Sequence, residues 1–194
     1  ESFNNSTLTL KAKHKPKIGD SIAVNGACLT VIDIYDNYFS VELSPESESY
    51  LALENYRVGN DMHIEPAMMM GDRFEGHIVQ GHIDAVGTIQ NIVDNGNSFD
   101  YIISIDKKNM KYIVPKGSVT IDGVSLTVND KNSDNFRLTI IPHTVKNTLF
   151  KRYKIGDRVN IETDMFARYV ESIFSNRDNS KVNWEDIDNI IMSY

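Results

Sequence analysis

The sequence repeats itself with an offset of 97 residues, and this repeat restricts the fold more than any other feature of the chain. Residues 21–31 (SIAVNGACLTV) align with residues 118–128 (SVTIDGVSLTV), and residues 56–68 align with residues 153–165 at the same offset. Blocks this far apart rarely share one gap-free offset by chance. The repeat therefore indicates two copies of one folded module, so that the fold of one copy predicts the fold of the other.

The second copy begins with a segment that has no counterpart in the first. This segment spans residues 76–92 (GHIVQGHIDAVGTIQNI), and the position that would match its Gly81 falls before Glu1. We therefore expect roughly 16 or more residues, and with them the first strand of the first copy, to precede this chain.

Each copy has the pattern of several short β-strands. SIAVNG and SVTIDG alternate apolar with small or polar residues, end in Asn-Gly or Asp-Gly, and lead into a second strand pattern, which is typical of a β-hairpin. YFSVEL, MHIEPAM, FRLTII and RVNIET continue this period of two. Short strands at regular spacing without helical crossovers predict two small antiparallel barrels or sandwiches.

Helices are predicted in two kinds of place. Residues 49–56 (SYLALENY) and 145–153 (VKNTLFKRY) lie at matching positions of the two copies. Beyond Asp164 the apolar residues of MFARYVESIF follow a spacing of three and four, which predicts an amphipathic helix outside the repeat. Asp164 is expected to cap the start of this helix. A further helical pattern follows in residues 184–194 (WEDIDNIIMSY).

Composition excludes several classes of partner and site. With 41% hydrophobic and 24% charged residues, the chain can bury a core. Its net charge of -7 argues against nucleic acid or an anionic membrane as a partner. Cys28 is the only cysteine, which excludes an internal disulfide and a thiolate metal cage and fits a reducing cytoplasm. No apolar run approaches the about 20 residues of a membrane helix, so we expect a soluble protein.

Six motifs, VNGACLTV, SPES, GHIVQGHID, IDGVSLTV, IIPHT and VNIETD, occur in order along the two copies. With these motifs the sequence resembles riboflavin synthase of the alpha type, the family with a duplicated lumazine-binding barrel, over residues 17–169. The paired NG-x-C-L-T and DG-x-S-L-T blocks together with G-H-x-x-x-G-H-x-D are far more specific than any one of them.

The resemblance implies an all-β fold of two tandem homologous six-stranded antiparallel β-barrels of the Greek-key type, followed by a C-terminal helix. The implied division is an N-terminal lumazine-binding barrel over residues 1–76, a C-terminal one over residues 77–169 and a helix over residues 170–194 that holds a homotrimer together.

The resemblance also implies a transferase of riboflavin biosynthesis. Two molecules of 6,7-dimethyl-8-ribityllumazine would meet between the N-terminal barrel of one chain and the C-terminal barrel of its neighbour. One would accept a four-carbon unit and become riboflavin, and the other would leave as 5-amino-6-ribitylamino-pyrimidinedione. Orienting two like heterocycles can supply much of the rate, so we expect no metal and no organic cofactor. A complex with lumazine synthase stays open.

Catalytic roles carry over from the family to both copies. Cys28 matches Ser125 in the repeat, and Thr30 matches Thr127. His82 is the first candidate to move protons, because an imidazole exchanges protons near neutral pH. The full catalytic set that the resemblance implies is His82, Ser125, Asp164, Cys28, Thr127, Asp122 and Ser21.

The implied substrate-binding residues also come from both copies. Without the resemblance, Cys28 would be interpreted as a packed strand residue, Asp122 as a turn residue before glycine and Lys116 as a solvated turn lysine. The implied set is Cys28, Leu29, Thr30, Glu42, Leu43, Ser44, Pro45, Glu46, Ser47, Gly81, His82, Ile83, Lys116, Ser125, Leu126, Thr127, Thr139, Ile140, Ile141, Pro142, His143 and Thr144.

The sequence departs from the family pattern at a few positions. The family's opening segment, of the form Met-Phe-x-Gly-Ile, is missing, and Glu75, His63 and Pro66 stand where the family usually has Gly, Asn and Arg. His77 precedes His82 by five residues, which on an extended strand puts the two side chains on opposite faces, so a shared metal is not expected.

Three other interpretations were compared with the enzyme. The nearest is a non-catalytic lumazine or flavin antenna protein with the same duplicated barrel, but such proteins lose polar residues from one pocket, whereas this sequence keeps them. A flavin-binding barrel of an oxidoreductase should bring a Gly-rich nicotinamide-binding turn, which is not present. A purely structural repeat leaves the matched polar residues unexplained.

Overall fold

The computed structural model describes residues 2–4 and 6–178. The strands of the first copy are β1 (Ser2–Asn4), β2 (Thr7–Lys11), β3 (Ser21–Val24), β4 (Ala27–Tyr35), β5 (Tyr38–Glu42) and β6 (Ile64–Pro66). Those of the second copy are β7 (Ala85–Asp94), β8 (Phe99–Ser104), β9 (Ser118–Ile121), β10 (Val124–Lys131), β11 (Asn135–Ile140) and β12 (Arg158–Thr163). The helices are α1 (Pro45–Tyr50), α2 (Pro142–Asn147) and α3 (Met165–Asp178), with short 3-10 turns at Leu53–Asn55, Met110–Tyr112 and Leu149–Arg152.

The two copies have the same antiparallel topology, as the repeat predicts. The first sheet has the order β1-β2-β5-β4-β3-β6, and the second has the matching order β7-β8-β11-β10-β9-β12, in which β12 also pairs with β7 to close a barrel. In each copy three hairpin-connected strands are followed by a fourth that returns beside the first of them, which is the Greek-key arrangement.

The copies differ in closure. The second barrel closes where Ala85–Asp94 pairs through its first residues with Arg158–Thr163. In the first copy, β6 pairs only with β3 among the described strands. The pairing register shows that β1 corresponds to residues 91–93, near the end of β7, and not to the start of that strand. The prediction of a closed six-stranded barrel is therefore confirmed for the second copy. The first copy is an open six-stranded sheet, because the half of β7 that closes the second barrel has no counterpart among the described residues.

Each sheet encloses its own apolar core. Phe136, Leu138 and Ile140 alternate along β11 with less buried neighbours, so that one face of the strand packs inward. Phe39 and Val41 take the same positions in β5. The period of two that predicted these strands is thus the pattern of burial.

Helices α1 and α2 begin earlier than predicted, at Pro45 and Pro142. The sequence predicted these two helices only over residues 49–56 and 145–153. Proline suits the first helical position because its backbone nitrogen has no hydrogen to leave unpaired there. At α1 the Ser44 hydroxyl also caps the helix by accepting the backbone N–H of Ser47 at 3.0 Å. The predicted helices therefore cover only the helix ends and the 3-10 turns that follow.

Helix α3 follows the second barrel directly. Asp164 Oδ1 accepts the backbone N–H of Phe166 at 2.9 Å, which confirms the predicted cap. The apolar side chains of α3 are between 52% and 61% exposed; they are Phe166, Tyr169, Val170, Ile173 and Phe174. The pattern predicted for residues 184–194, and most of the assembly helix predicted for residues 170–194, lies outside the described residues. Within the described part of the chain, no helix is both long enough and apolar enough to cross a membrane.

The two copies meet at their Asn-Gly and Asp-Gly turns. A Cβ on Gly26 would lie 2.6 Å from the backbone nitrogen of Gly123, and a Cβ on Gly123 would lie 3.1 Å from the nitrogen of Gly26. Both glycines also have positive φ angles, of +79° and +88°. The two turns are thus in backbone contact and leave no room for larger residues.

Equivalent side chains also bridge the copies in both directions. Asn160 Oδ1 accepts the backbone N–H of Ala52 at 2.8 Å. His63, the repeat partner of Asn160, accepts the backbone N–H of Leu149, the partner of Ala52, through Nε2 at 2.8 Å. The copies are therefore related by an approximate twofold axis. His63 can take the place of an asparagine because its neutral ring offers an acceptor at the same point, and burial lowers the pKa of its imidazole, which favours that form.

The glycine contact leads to a test of this interface. We expect Gly26→Ala to lower the free energy of unfolding by about 3 kcal/mol or more, because a methyl group would force the two turns apart. Gly59→Ala is the matched control, since Gly59 has a similar φ of +91° with nothing within 4 Å of an added Cβ, and it should cost only about 1 kcal/mol. Urea unfolding of both variants measures the difference, and equal losses would contradict a tight contact.

Candidate functional site

Residues 76–84 connect the two copies and lie against two positions that the repeat makes equivalent. Gly81 O accepts the backbone N–H of Cys28 at 2.9 Å, and a Cβ on Gly81 would lie 2.5 Å from the Cys28 Cβ. A Cβ on Gly76 would lie 2.6 Å from the Ser125 Oγ. The segment has two Gly-His pairs, five residues apart. The first pair, at Gly76, therefore reaches β10, and the second pair, at Gly81, reaches β4. We call the surroundings of Cys28 the amino-terminal half-site and those of Ser125 the carboxy-terminal half-site.

The amino-terminal half-site is an open cleft of about 440 Å³. Its lining residues are Ala27, Cys28, Ser44, Ser47, Tyr50, Leu51, Gly81, His82, Ile83 and Asp84. The structure thus brings together Cys28 and His82 with other residues that the resemblance implied, from the SPES motif and the linking segment. Cys28 is exposed, which favours the pocket interpretation over that of a packed core residue.

Sequence reasoning missed Tyr50 and Asp84 in this cleft. Tyr50 lies on α1 three residues after Ser47, so both project from one side of the helix. A helix predicted to start at Pro45 would have placed Tyr50 on the same side as Ser47. Asp84 is held in place because its Oδ2 accepts both the backbone N–H and the hydroxyl of Thr163, each at 2.7 Å.

The carboxy-terminal half-site is built around a serine–histidine pair. The Ser125 Oγ and the His77 Nδ1 share a hydrogen bond of 2.7 Å, and the His77 Nε2 lies 3.3 Å from the Thr120 Oγ1. Burial lowers the pKa of His77, while the charge of Asp164 acts in the opposite direction. A neutral imidazole in this position can accept a proton from the serine or from a bound molecule.

The structure gives each of the two histidines its own neighbour. Sequence reasoning named His82 as the first candidate to move protons, placed Ser125 and Asp164 beside it among the leading catalytic residues and left His77 without a role. In the structure, His77 is the partner of Ser125, and His82 lines the cleft with Cys28.

A buried carboxylate holds the turn between the two half-sites. Glu162 on β12 is only 1% exposed, and it accepts the backbone N–H groups of Gln80, Gly81 and His82 at 2.8, 2.8 and 3.2 Å. Burial raises its pKa, and the N–H groups of Gln80 and Gly81 oppose this. Sequence reasoning missed Glu162, although the repeat matches it to Glu65.

Asp122 lies between the copies and not in the cleft. It is 1% exposed, and its Oδ2 accepts the Tyr153 hydroxyl at 2.6 Å while its Oδ1 accepts the backbone N–H of Asn160 at 2.7 Å. Burial raises its pKa from 3.8 to about 7, against the effect of these two hydrogen bonds. Its place in the structure is that of a buried anchor at the contact between the copies.

The strand residues near each half-site divide between core and surface. Ser21 and Thr30 are exposed cross-strand neighbours on β3 and β4, and Thr127 is exposed on β10. Leu29 belongs to the first core at 3% exposure, and Leu126 packs partly buried against the second.

The segments that follow β5 and β11 are also divided. Leu43 and Ile140 are buried in their cores, whereas Ile141 and His143 are exposed. The Thr139 hydroxyl is engaged, since it donates to Asp100 Oδ1 at 2.6 Å and accepts from Arg137. The remaining predicted residues are placed as follows: Glu42 is exposed at the end of β5, Pro45 and Glu46 are in α1, Pro142 and Thr144 are in α2, and Lys116 is an exposed turn residue with φ of +66°.

Two further features of the described chain concern metal binding and a second cavity. Within residues 2–4 and 6–178, no group of three or more His, Cys, Asp or Glu side chains is arranged to hold a metal ion. A smaller cavity of about 80 Å³ lies at the open edge of the first sheet, between β2 and β6, with Leu8, Val58 and Ile64 among its lining residues.

Comparison with known proteins places this chain in a family. A family model described as "Lumazine binding domain" matches residues 2–67 and 80–164. The chain is 47% identical to riboflavin synthase of Photobacterium phosphoreum, over 89% of this chain and 78% of that protein. It is 44% identical to riboflavin synthase of Actinobacillus pleuropneumoniae, over 86% of this chain and 76% of that protein.

Solved structures support the fold. LumP complexed with riboflavin superposes with a TM-score of 0.72 at 23% identity, covering 84% of this chain and 91% of that one. LumP complexed with 6,7-dimethyl-8-(1'-D-ribityl) lumazine gives a TM-score of 0.71 at 22% identity, with 84% and 90% covered.

The raised pKa of Asp122 predicts a pH-dependent loss of stability. The folded protein binds the Asp122 proton more tightly than the unfolded chain, so this residue lowers the free energy of unfolding as the pH rises from about 4 to about 7. Asp122→Asn removes this titration and keeps one oxygen to accept the Asn160 N–H, as the Asn25 oxygen accepts the His63 N–H in the first copy. The amide NH₂ can then donate to the Tyr153 hydroxyl. We expect the variant to gain up to about 4 kcal/mol over the original chain between pH 4 and pH 8. Urea unfolding across this range tests it, and parallel pH profiles for the two proteins would contradict it.

Proposed function

The chain belongs to the lumazine-binding domain family, and on this premise we propose that it is an enzyme that makes riboflavin from 6,7-dimethyl-8-ribityllumazine. The observation that carries the proposal is the pair of repeat-related half-sites, each with a histidine beside a residue that bears a hydroxyl or a thiol. Identities of 44% and 47% to riboflavin synthases over most of the chain support it.

The reaction is a dismutation of two identical molecules. One lumazine gives up a four-carbon unit and leaves as 5-amino-6-ribitylamino-pyrimidinedione, and the other accepts the unit and becomes riboflavin. Two identical heterocycles suit two half-sites that share one backbone framework. Holding them in reactive contact can replace about 7 kcal/mol of the barrier, so the side chains need only move protons.

The two half-sites supply different proton carriers. His82 in the amino-terminal cleft is the group we assign to proton removal from the C7 methyl group of the lumazine bound beside Cys28. In the carboxy-terminal half-site, His77 can accept the proton of Ser125 or pass one to a ring atom of the second lumazine. Asp164 stabilises the protonated form of His77 through its charge.

We further propose that each complete site forms between the amino-terminal half of one chain and the carboxy-terminal half of another, in a homotrimer. The row of apolar side chains on α3, from Phe166 to Phe174, is more than half exposed in the single chain, and another copy of the chain would cover it. Location in the cytoplasm and association with lumazine synthase stay predictions.

The alternative is a lumazine- or flavin-binding protein without catalysis. The likeness to LumP in fold is the observation that favours it. Against it stand the lower identity to LumP and the polar groups kept in both half-sites. The alternative predicts tight lumazine binding without product.

Turnover distinguishes these functions. We expect the full-length protein to convert dimethylribityllumazine into riboflavin without added metal or reductant, measured by the absorbance and fluorescence of riboflavin. Ser125→Ala and His82→Ala should each lower kcat by about 100-fold, because each removes a group that carries a proton. Lys13→Ala, a change of an exposed residue away from both half-sites, is the control. Binding without any riboflavin would favour the antenna protein.

Mixing two inactive variants tests where a complete site forms. In a mixed trimer of His82→Ala and Ser125→Ala chains, about one contact in four would join an intact amino-terminal half to an intact carboxy-terminal half. Co-refolding the two variants should therefore restore activity well above that of either variant refolded alone. Activity that stays at the level of the single variants would place the complete site within one chain.

A further inference from the structure

The turn formed by Gln80, Gly81 and His82 is held from two sides. On one side, its three backbone N–H groups point at the carboxylate of Glu162, at 2.8 to 3.2 Å. On the other side, Gly81 O accepts the backbone N–H of Cys28 on β4. The turn therefore joins β12 of the second copy to the amino-terminal half-site of the first.

The carboxylate is built into the fold at this point. Glu162 lies on β12 with 1% of its surface exposed, so an unpaired charge there would be costly. A carboxylate that accepts several backbone N–H groups can be stabilised in such a place, and these bonds are stronger than those between neutral groups. The three N–H groups of the turn thus satisfy the carboxylate, and the carboxylate fixes the turn.

Arg168 of helix α3 contacts the same turn. The Arg168 guanidinium donates to Asp84 Oδ1 at 2.7 Å and to the side-chain oxygen of Gln80 at 3.2 Å. It also lies 4.0 Å from Glu162 Oε1. The turn that carries His82 is therefore connected to the helix whose apolar side chains face outward.

The repeat supplies an internal comparison. Glu65 stands at the position in the first copy that matches Glu162, but it is exposed on β6. The same residue type thus takes a buried, multiply bonded role only where the linking segment crosses β12.

We propose that Glu162 is a positioning residue that holds the Gln80–His82 turn so that His82 faces the amino-terminal half-site, and that Arg168 couples this turn to helix α3. The proposal rests on the proposed function, in which His82 moves a proton. Glu162 acts through the turn and need not touch the substrate.

Glu162→Gln in the full-length protein is the main test. The amide keeps the size of the side chain but replaces one acceptor oxygen with an NH₂ group, which would face backbone N–H groups. We expect amide hydrogen exchange at Gln80, Gly81, His82 and Cys28 to become roughly tenfold faster, and kcat to fall roughly tenfold with a smaller change in KM. Exchange in β8 and β11 should stay unchanged, which separates a loosened turn from general unfolding.

Two further variants complete the design. Glu54→Gln is the matched control, because Glu54 is a more exposed glutamate paired with Arg158 at 3.2 Å, and its loss should change neither the turn nor kcat. Arg168→Met keeps Glu162 and removes the link to α3, so it should speed exchange at the same residues by a smaller factor. If Glu162→Gln does not fold, Arg168→Met carries the test.

The two readouts keep the proposals apart. If amide exchange in the Gln80–His82 turn is unchanged, Glu162 does not hold the turn. If exchange is faster but kcat is unchanged, Glu162 holds the turn without positioning His82 for catalysis. If the original chain makes no riboflavin, the proposed function fails. The role of Glu162 in holding the turn is then tested by amide exchange and by the Kd for dimethylribityllumazine, which should rise in Glu162→Gln.

Discussion

The backbone contact between the Gly26 and Gly123 turns is the constraint on which the rest of the structure depends. The gap between the turns admits no Cβ on Gly26, so the two turns lie in direct backbone contact. Because each turn opens the strand that carries a half-site residue, the contact also fixes the places of Cys28 and Ser125 on either side of the approximate twofold axis. A short linking segment can then reach both.

The polar groups buried around this contact make the copies alike in shape and different in chemistry. Tyr56 and Tyr153 match in the repeat, but the Tyr56 hydroxyl donates to a backbone carbonyl and the Tyr153 hydroxyl donates to Asp122. Asn25 stands where the second copy has Asp122, so only the second copy places a titratable group there. Each of these differences is matched by a different hydrogen-bond partner. The twofold relation is kept by hydrogen-bonding shape and not by identity of residues.

The parts of this molecule that the sequence predicts are those decided by local period and by the repeat. The strands follow from alternation, the matched topology follows from the offset, and the cap at Asp164 follows from the pattern beyond it. The start of α1 at Pro45 was missed because the apolar pattern that predicted this helix begins only at residue 49, whereas its first turn is set by proline and the Ser44 cap. The roles of His77 and Glu162 were missed because they depend on where the linking segment crosses β10 and β12, and no local pattern contains that crossing.

A dismutation of two identical molecules needs a site that treats them differently, and the repeat alone would treat them alike. The differences at matched positions supply the distinction. Ser125 lies beside the part-buried His77, whereas its repeat equivalent Cys28 lies beside the exposed His82. Asp164 has Ala67 as its counterpart in the first copy. Burial lowers the pKa of His77 and the charge of Asp164 opposes this, whereas Ala67 has no charge. Duplication thus provides the common frame for two like substrates, and the few unmatched side chains make the two half-sites chemically different.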